Sequence, residues 1–332
     1  MQKAAWRQRS TNLRCMRPSR AIVSWNSYFA EIKAMYEKTF WKDNVLLVSG
    51  VERLDLNRTF ACGQSFRWQR TERGWFGIAF GRGIYAETAE GALRIFPCAK
   101  EEVPLWLNYF DLARDYAAIE AQLCADTRLC ACVPFASGIR VLNQEPFETL
   151  ITFILSANNN AGRIAGIVMR LCACAGEPAV MQDGREYRRF PTPEAVAALE
   201  PEALRSIGAG YRAPYVKESA RMVADGFDLE ALRAMPLAEA RKALAAFPGV
   251  GPKVADCILL FSLGHTDAFP VDVWIGRSLK TLFFDGQMPG RQEMERLLHE
   301  LGPMSGIIQQ YVFHYARERK LATKHEKKEG KQ

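Results

Sequence analysis

Apolar and polar positions alternate along the first third of the chain and recur at helical spacing along the rest. Between about Phe40 and Pro97 short runs of period two follow one another: Asn44–Val48, Ser65–Gln69, Trp75–Phe80, Gly83–Ala86 and Leu93–Phe96, with Gly74, Gly81 and Gly91 between them. Such runs, bounded by turn residues, predict an antiparallel meander. After Glu101 the period becomes 3.6 in Glu145–Leu155, Arg163–Cys174, Ala213–Val223, Leu237–Ala246, Val254–Leu263, Val273–Leu279, Gln292–Leu301 and Ser305–Arg319. Each of these is expected to be an amphipathic helix, with Pro- and Gly-bearing loops between them. No internal repeat is visible. The expected fold is α+β: an N-terminal antiparallel β-sheet domain over 39–125, then a larger all-helical domain over 126–320. A ligand site is expected in the cleft between them. Residues 1–38 and 321–332 remain as a basic N-terminal extension and a basic C-terminal tail.

One segment interrupts the helical pattern in an informative way: Phe247-Pro248-Gly249-Val250-Gly251-Pro252-Lys253-Val254-Ala255-Asp256-Cys257. Pro248 cannot continue the helix before it, and Gly249 and Gly251 permit a tight turn with φ > 0. Pro252 suits the first position of a new helix. The amides of Val250, Gly251 and Lys253 are then expected to point outward, where a phosphate oxygen can accept from them. Taken alone, the segment is equally a plain helix–turn–helix. Lys253 is harder to explain structurally. It falls in the first turn of its helix, where the dipole disfavours a cation and so favours the neutral amine. A neutral amine is a nucleophile that can form a Schiff base. Cys257 follows at i+4, on the same helical face. Asp272, nineteen residues after Lys253, precedes the helical pattern Trp274, Ile275, Leu279. An N-cap is its plain reading, but a capping carboxylate at a helix mouth can also face a reaction centre.

Composition narrows the class without naming it. The 332 residues are 48% hydrophobic, enough for substantial cores. No apolar run approaches the length of a membrane span. Nine cysteines, an odd number without paired spacing, argue for reduced thiols in a cytosol-like compartment. Cys130-Ala131-Cys132 and Cys172-Ala173-Cys174 have poor spacing for zinc, and no metal site is expected. No cysteine follows Cys257, so a C-terminal iron–sulfur loop is absent. The formal net charge is +7. Residues 1–38 carry eight Lys/Arg and two Glu, and residues 317–332 carry seven and three, which leaves 39–316 at −3. A nucleic-acid face on the folded part must therefore come from local clustering. The first 30 residues, basic and without acid, read as a disordered arm, as a mis-assigned start with Met35 the true one, or as a mitochondrial transit peptide.

The hairpin with Lys253 and Asp272 resembles the helix–hairpin–helix DNA glycosylases. Gly63-Gln64-Ser65-Phe66-Arg67-Trp68, Asn158-Asn159-Asn160-Ala161-Gly162-Arg163-Ile164, Gly210-Tyr211-Arg212-Ala213 and Gln309-Gln310-Tyr311-Val312-Phe313-His314-Tyr315-Ala316-Arg317 resemble the 8-oxoguanine DNA glycosylases in particular, and their bacterial-type branch more than the animal one. The likeness runs in order from about Val45 to Arg319.

The resemblance implies a bifunctional glycosylase/AP lyase that flips an 8-oxoguanine nucleotide, preferably opposite cytosine, out of duplex DNA. Lys253 would attack the sugar and Asp272 would stabilise the charge that develops there. Gly63 would offer a backbone carbonyl to the extra N7–H of the lesion, although a turn glycine is its plainer role. Cys257 and Phe313 would sandwich the base, and Gln309 would meet its Watson–Crick edge. By periodicity the first two could be core, and Gln309 a solvated helix residue. Asn158 would fill the vacated space, unless the asparagine run is simply an N-cap. Arg163 and Arg212 would bind the orphaned cytosine and Tyr211 would wedge the stack, although Arg212 on its own reads as a surface residue. Gly249, Val250 and Gly251 would meet the DNA backbone. No cofactor is required for this chemistry. The partner would be duplex DNA containing an oxidised purine, bound by a monomer away from membranes. The setting would be the bacterial cytoplasm and nucleoid, or a eukaryotic nucleus or mitochondrion. Trp274 and Ala316 depart from the animal members, which have His and Asp at those places; this bears on the stringency for cytosine. Rival readings are a glycosylase of the same fold for another damaged base, and a non-catalytic helix–hairpin–helix DNA-binding protein.

Overall fold

The computed structural model describes residues 38–51 and 53–321. Apart from Lys38 and Leu321, the basic extension and tail expected from the sequence lie outside them. The first part is a six-stranded antiparallel sheet: β1 Thr39–Lys42, β2 Val45–Ser49, β3 Trp68–Thr71, β4 Gly74–Ala79, β5 Arg82–Ala89 and β6 Ala92–Phe96. The order is β1-β2-β6-β5-β4-β3, so the simple meander expected from the alternation is only partly present. Strands β3 to β6 form one, but β2 pairs with β6 rather than β3. The crossover is made by a short helix, α1 (Leu56–Ala61), which Asp55 caps by accepting from the Arg58 amide at 3.0 Å. Register confirms the period-two pattern: Leu46 faces Ile95 and Val48 faces Leu93, all four fully enclosed. Trp106, Tyr109 and Phe110, from α2 (Val103–Tyr109) and its end, close this core. The run predicted as a strand from Ser65 starts only at Trp68, because the chain bends at Ser65–Arg67 to turn Arg67 inward.

The rest is helical: α3 Tyr116–Ala125, α4 Pro146–Ser156, α5 Ala161–Ala175, α6 Ala213–Ala224, α7 Leu237–Leu244, α8 Pro252–Ser262, α9 Val273–Phe283, α10 Arg291–Leu301 and α11 Ser305–Glu318, with shorter turns between them. The expected helices match these within a few residues. One exception is a small hairpin of β7 (Pro178–Val180) and β8 (Glu186–Arg188) inside the helical part. It straps back onto the sheet: Tyr85 Oη and Arg73 Nη1 each donate to Asp183 Oδ2 at 3.0 Å. Helix α4 is central, with every residue from Pro146 to Leu155 except Glu148 buried. Tyr116, Ile119 and Leu123 of α3 belong to the helical core and Leu142, further along, to the sheet core, so by packing the two parts interleave between residues 113 and 142 rather than dividing at one point. Among the described residues no helix is long and apolar enough to cross a membrane, and the eight cysteines there are all free thiols.

Candidate active site

Helices α7 and α8 are joined by the glycine hairpin. Gly249 has φ +80°, and a Cβ there would lie 2.8 Å from the Tyr215 ring, so both backbone and packing require glycine. Gly251 differs from the expectation: it is extended, with φ −87° and ψ 179°, and a Cβ built on it meets nothing within 4 Å. It caps α8, with Pro252 at the first helical position. Val250 also departs from expectation. Its amide donates to the Phe247 carbonyl at 3.1 Å and closes the turn, so it does not point outward. The Gly251 and Lys253 amides stand at the helix start and make no backbone hydrogen bond among the described residues.

Lys253, Asp272, Gly63, Cys257, Gln309, Phe313 and Asn158 line one cavity of about 900 Å³ between the sheet and helical parts. Gly63 comes from the turn before β3, Lys253 and Cys257 from α8, Asp272 from the start of α9, Gln309 and Phe313 from α11, and Asn158 from the loop after α4. Lys253 Nζ lies 5.2 Å from the centroid of the Phe153 ring, which stacks on Phe261. Cys257, one turn further along α8, is buried; burial pushes its thiol up to about 11, against the pull of the neighbouring Lys253. It is therefore a neutral, polarisable wall at physiological pH. Asp272 does cap α9, its Oδ1 accepting from the Ile275 amide at 2.8 Å, while it borders the cavity.

Gly63 sits at φ +78° with its missing side chain toward Phe313, whose Cε1 would be 3.6 Å from a Cβ. Its neighbour Gln64 is fully buried and ties this turn to the linker between the two parts. Nε2 donates to the Thr59 and Arg140 carbonyls at 3.0 and 2.7 Å, and Oε1 accepts from the Leu142 amide at 2.8 Å. Arg67 pairs with Glu148 of α4 at 3.3 Å and also donates to the Arg188 carbonyl of the strap. The motif is thus mostly a structural staple that holds Gly63 and Phe66 at the cavity. Gln309 is not a solvated helix residue. It is 3% exposed and donates to the Pro270 carbonyl at 3.0 Å.

The three asparagines divide their tasks. Asn160 caps α5 by accepting from the Arg163 amide at 3.0 Å, and Asn159 Nδ2 reaches back to the Leu155 carbonyl at 3.2 Å. Asn158, exposed and left-handed at φ +49°, makes no side-chain hydrogen bond among the described residues and faces the cavity. Arg163 and Tyr211 are exposed outside the cavity lining, Tyr211 by 57%. Arg212 is not the surface residue that it reads as on its own. It is 5% exposed and donates to the carbonyls of Ala157, Asn158 and Ala209, with its guanidinium 4.3 Å from the Tyr211 ring centroid. It holds the Asn158 loop in place.

Sequence reasoning gave no role to Phe66, Phe153, Arg277, Lys280, Met288, Gln310 and Arg317, which also line the cavity, as does Trp274. Its charged lining is Lys253, Arg277, Lys280 and Arg317 against Asp272 alone. Lys253, Arg277 and Lys280 are the local positive cluster that the −3 of the middle segment conceals, and Arg317, from the segment after it, adds to them.

Comparisons with known proteins agree with this geometry. Residues 46–150 match the family described as 8-oxoguanine DNA glycosylase, N-terminal domain, and residues 151–304 match the HhH-GPD superfamily of base excision DNA repair proteins. The chain is 29% identical over 297 residues to a probable N-glycosylase/DNA lyase of Methanothermobacter thermautotrophicus, covering 79% of this chain and 93% of that one. It is 32% identical over 236 residues to the N-glycosylase/DNA lyase OGG1 of Arabidopsis thaliana, covering 67% and 64%. A solved structure of the Clostridium acetobutylicum 8-oxoguanine glycosylase/lyase, in complex with double-stranded DNA containing cytosine opposite 8-oxoguanine, superposes with TM-score 0.81 at 35% identity over 85% of this chain and 98% of that one. By its two domain matches, its relatives and its fold, this chain belongs to the family of 8-oxoguanine DNA glycosylases with AP lyase activity, within the helix–hairpin–helix superfamily.

Proposed function

We propose that the protein excises 8-oxoguanine from duplex DNA, preferentially opposite cytosine, through a Schiff base on Lys253, and then nicks the strand. The observation that carries this reading is that the Lys253 amine, at the start of α8, and the Asp272 carboxylate line the same cavity as Gly63, Cys257, Gln309 and Phe313. The lone pair of the Lys253 amine attacks the anomeric carbon. The glycosidic bond breaks, and the base departs with the electron pair and takes up a proton. Asp272 balances the positive charge that develops on the sugar. Loss of a proton from nitrogen and opening of the sugar ring give the imine. Removal of a C2′ proton then expels the 3′ phosphate. The scheme draws on no metal or organic cofactor.

The flipped base fits between the Cys257 sulfur and the Phe313 ring, with the Gly63 carbonyl as acceptor for N7–H and the Gln309 amide at the Watson–Crick edge. Asn158 occupies the gap in the stack, with Tyr211 as wedge and Arg163 toward the opposite strand. The open space around Gly251 allows a phosphate to approach the start of α8. Borohydride should trap a covalent protein–DNA adduct with an 8-oxoguanine:cytosine duplex, and Lys253→Gln should abolish it. A folded, active preparation that gives no adduct would overturn the Schiff-base reading. Opposite-base preference is read from the same duplex with each base in turn.

A further inference from the structure

The amide of Gln309 can be oriented without ambiguity. Its partner at 3.0 Å, the carbonyl of Pro270, can only accept, so the atom facing it is Nε2. The other atom is then Oε1, and Gln310 must present its own Nε2 there, at 2.7 Å. Reversing Gln309 would set two acceptors against each other at Pro270. A backbone carbonyl thus fixes two successive side chains. Gln310 meets a cost for this: its Oε1 is enclosed and has no partner among the described residues, and the residue is 3% exposed. A buried acceptor left unpaired weakens a fold, so the stability of α11 gives no reason for glutamine at this place. Both residues line the cavity that holds Lys253 and Asp272.

We infer that Gln310 is a positioning and specificity-determining residue, whose Nε2 holds Gln309 with an acceptor and a donor in fixed order toward the flipped base. Gln309 retains one lone pair on Oε1 and one N–H on Nε2. A guanine-type edge, with its carbonyl acceptor beside the N1–H donor, complements that order. An edge of reversed order requires the amide to turn against both Pro270 and Gln310. This inference rests on the proposed base pocket, and the test separates the two.

Gln310→Met keeps length and removes the donor, whereas Gln310→Glu replaces it with an acceptor that opposes Gln309 Oε1. Single-turnover release of 8-oxoguanine opposite cytosine should fall about tenfold in Gln310→Met, the loss of roughly one hydrogen bond, and further in Gln310→Glu. Nicking of a duplex with a preformed abasic site, which has no base to read, should stay within about twofold of wild type. The melting temperature of Gln310→Met should be unchanged or raised, because an unpaired acceptor is gone. Unchanged excision in both variants would overturn the inference. So would a joint fall of excision, abasic nicking and melting temperature, which marks a purely structural residue. A wild-type protein inactive on 8-oxoguanine would instead sink the substrate reading. The Gln310 inference is then decided by the same comparison on the base the protein does release.

Discussion

The guanidinium of Arg212 lies 3.1 Å from the carbonyl of Asn158, so the cation of one motif sets the backbone of another fifty-four residues away in sequence. Arg212 does this from a buried position, with carbonyls and the Tyr211 ring as its surroundings. Its planar fork suits several divergent carbonyls at once, which a lysine cannot reproduce. Arg212→Lys should therefore lower stability by about 2–4 kcal/mol as well as activity. Asn158→Ala removes no side-chain bond and bears only the left-handed conformation, at about 1 kcal/mol. Chemical denaturation and single-turnover excision, run on both variants, separate the clamp from the filler. An Arg212→Lys protein as stable as wild type would refute the clamp.

Asp272 has a structural and a proposed chemical role, and the two can be parted. Asparagine caps a helix about as well as aspartate, whereas alanine costs about 1 kcal/mol. Asp272→Asn should keep the melting temperature near wild type while excision falls by roughly 100-fold or more, if the charge is what matters. Asp272→Ala should lose both. Equal activity of the Asp272→Asn variant and the wild-type protein would leave the carboxylate as a cap alone.

At Gly63 the φ of +78° makes alanine strained by about 1–2 kcal/mol, while the new methyl would rest in ordinary contact on Phe313. Gly63→Ala should fold, with a small loss of stability. Its preference for 8-oxoguanine over guanine should fall more than its affinity for undamaged duplex. Competition binding with both duplexes measures this, and an equal loss for the two would count against the carbonyl contact.

Glu145 starts α4 and accepts from the Phe147 and Glu148 amides at 3.1 and 2.5 Å. Burial nevertheless raises its carboxyl to about 7, the two amides pulling the other way, and burial also raises Glu148 despite Arg67. A carboxyl raised in the fold binds more protons there than in the unfolded chain. Its contribution to stability is thus complete below about pH 4.5 and is lost as pH rises through about 7. Unfolding free energy should fall across that window by on the order of 1–2 kcal/mol, allowing for the water-accessible cavity that Glu145 borders. Glu145→Gln should flatten the profile. A wild-type stability that rises from pH 5 to pH 8 with no flattening in the variant would contradict this.

Much of the fold was legible because its signals are local. The helices from Pro146 onward announce themselves by periodicity, several of them also by Pro or Asn at their starts, and the strands by alternation. Helix α3 was not legible. Its buried face carries Glu120, which reads as solvent-exposed and is instead held by Arg53 at 2.8 Å and Tyr311 at 3.1 Å. The crossover that places β2 beside β6 depends on pairing across nearly fifty residues, which alternation does not specify. In the site, Lys253 and Asp272 stood out because of where their residue types fall at helix starts, and Gly63 and Arg212 only through the motifs that carry the family resemblance. The carbonyl clamp of Arg212 and the pairing of Gln310 were not legible, because their partners are distant carbonyls and an adjacent amide, brought into place only once the chain is folded.

The three asparagines between α4 and α5 act together as a ruler. Asn159 is counted back four residues to Leu155, and Asn160 is counted forward three to Arg163. Between the end of α4 and those two fixed counts stand only Ala157, whose amide closes the helix on the Ile154 carbonyl, and the left-handed Asn158. Inserting or deleting a single residue would not merely lengthen or shorten a surface loop. It would change which side chain stands at the cavity, so chain length at this point sets the lining of the site.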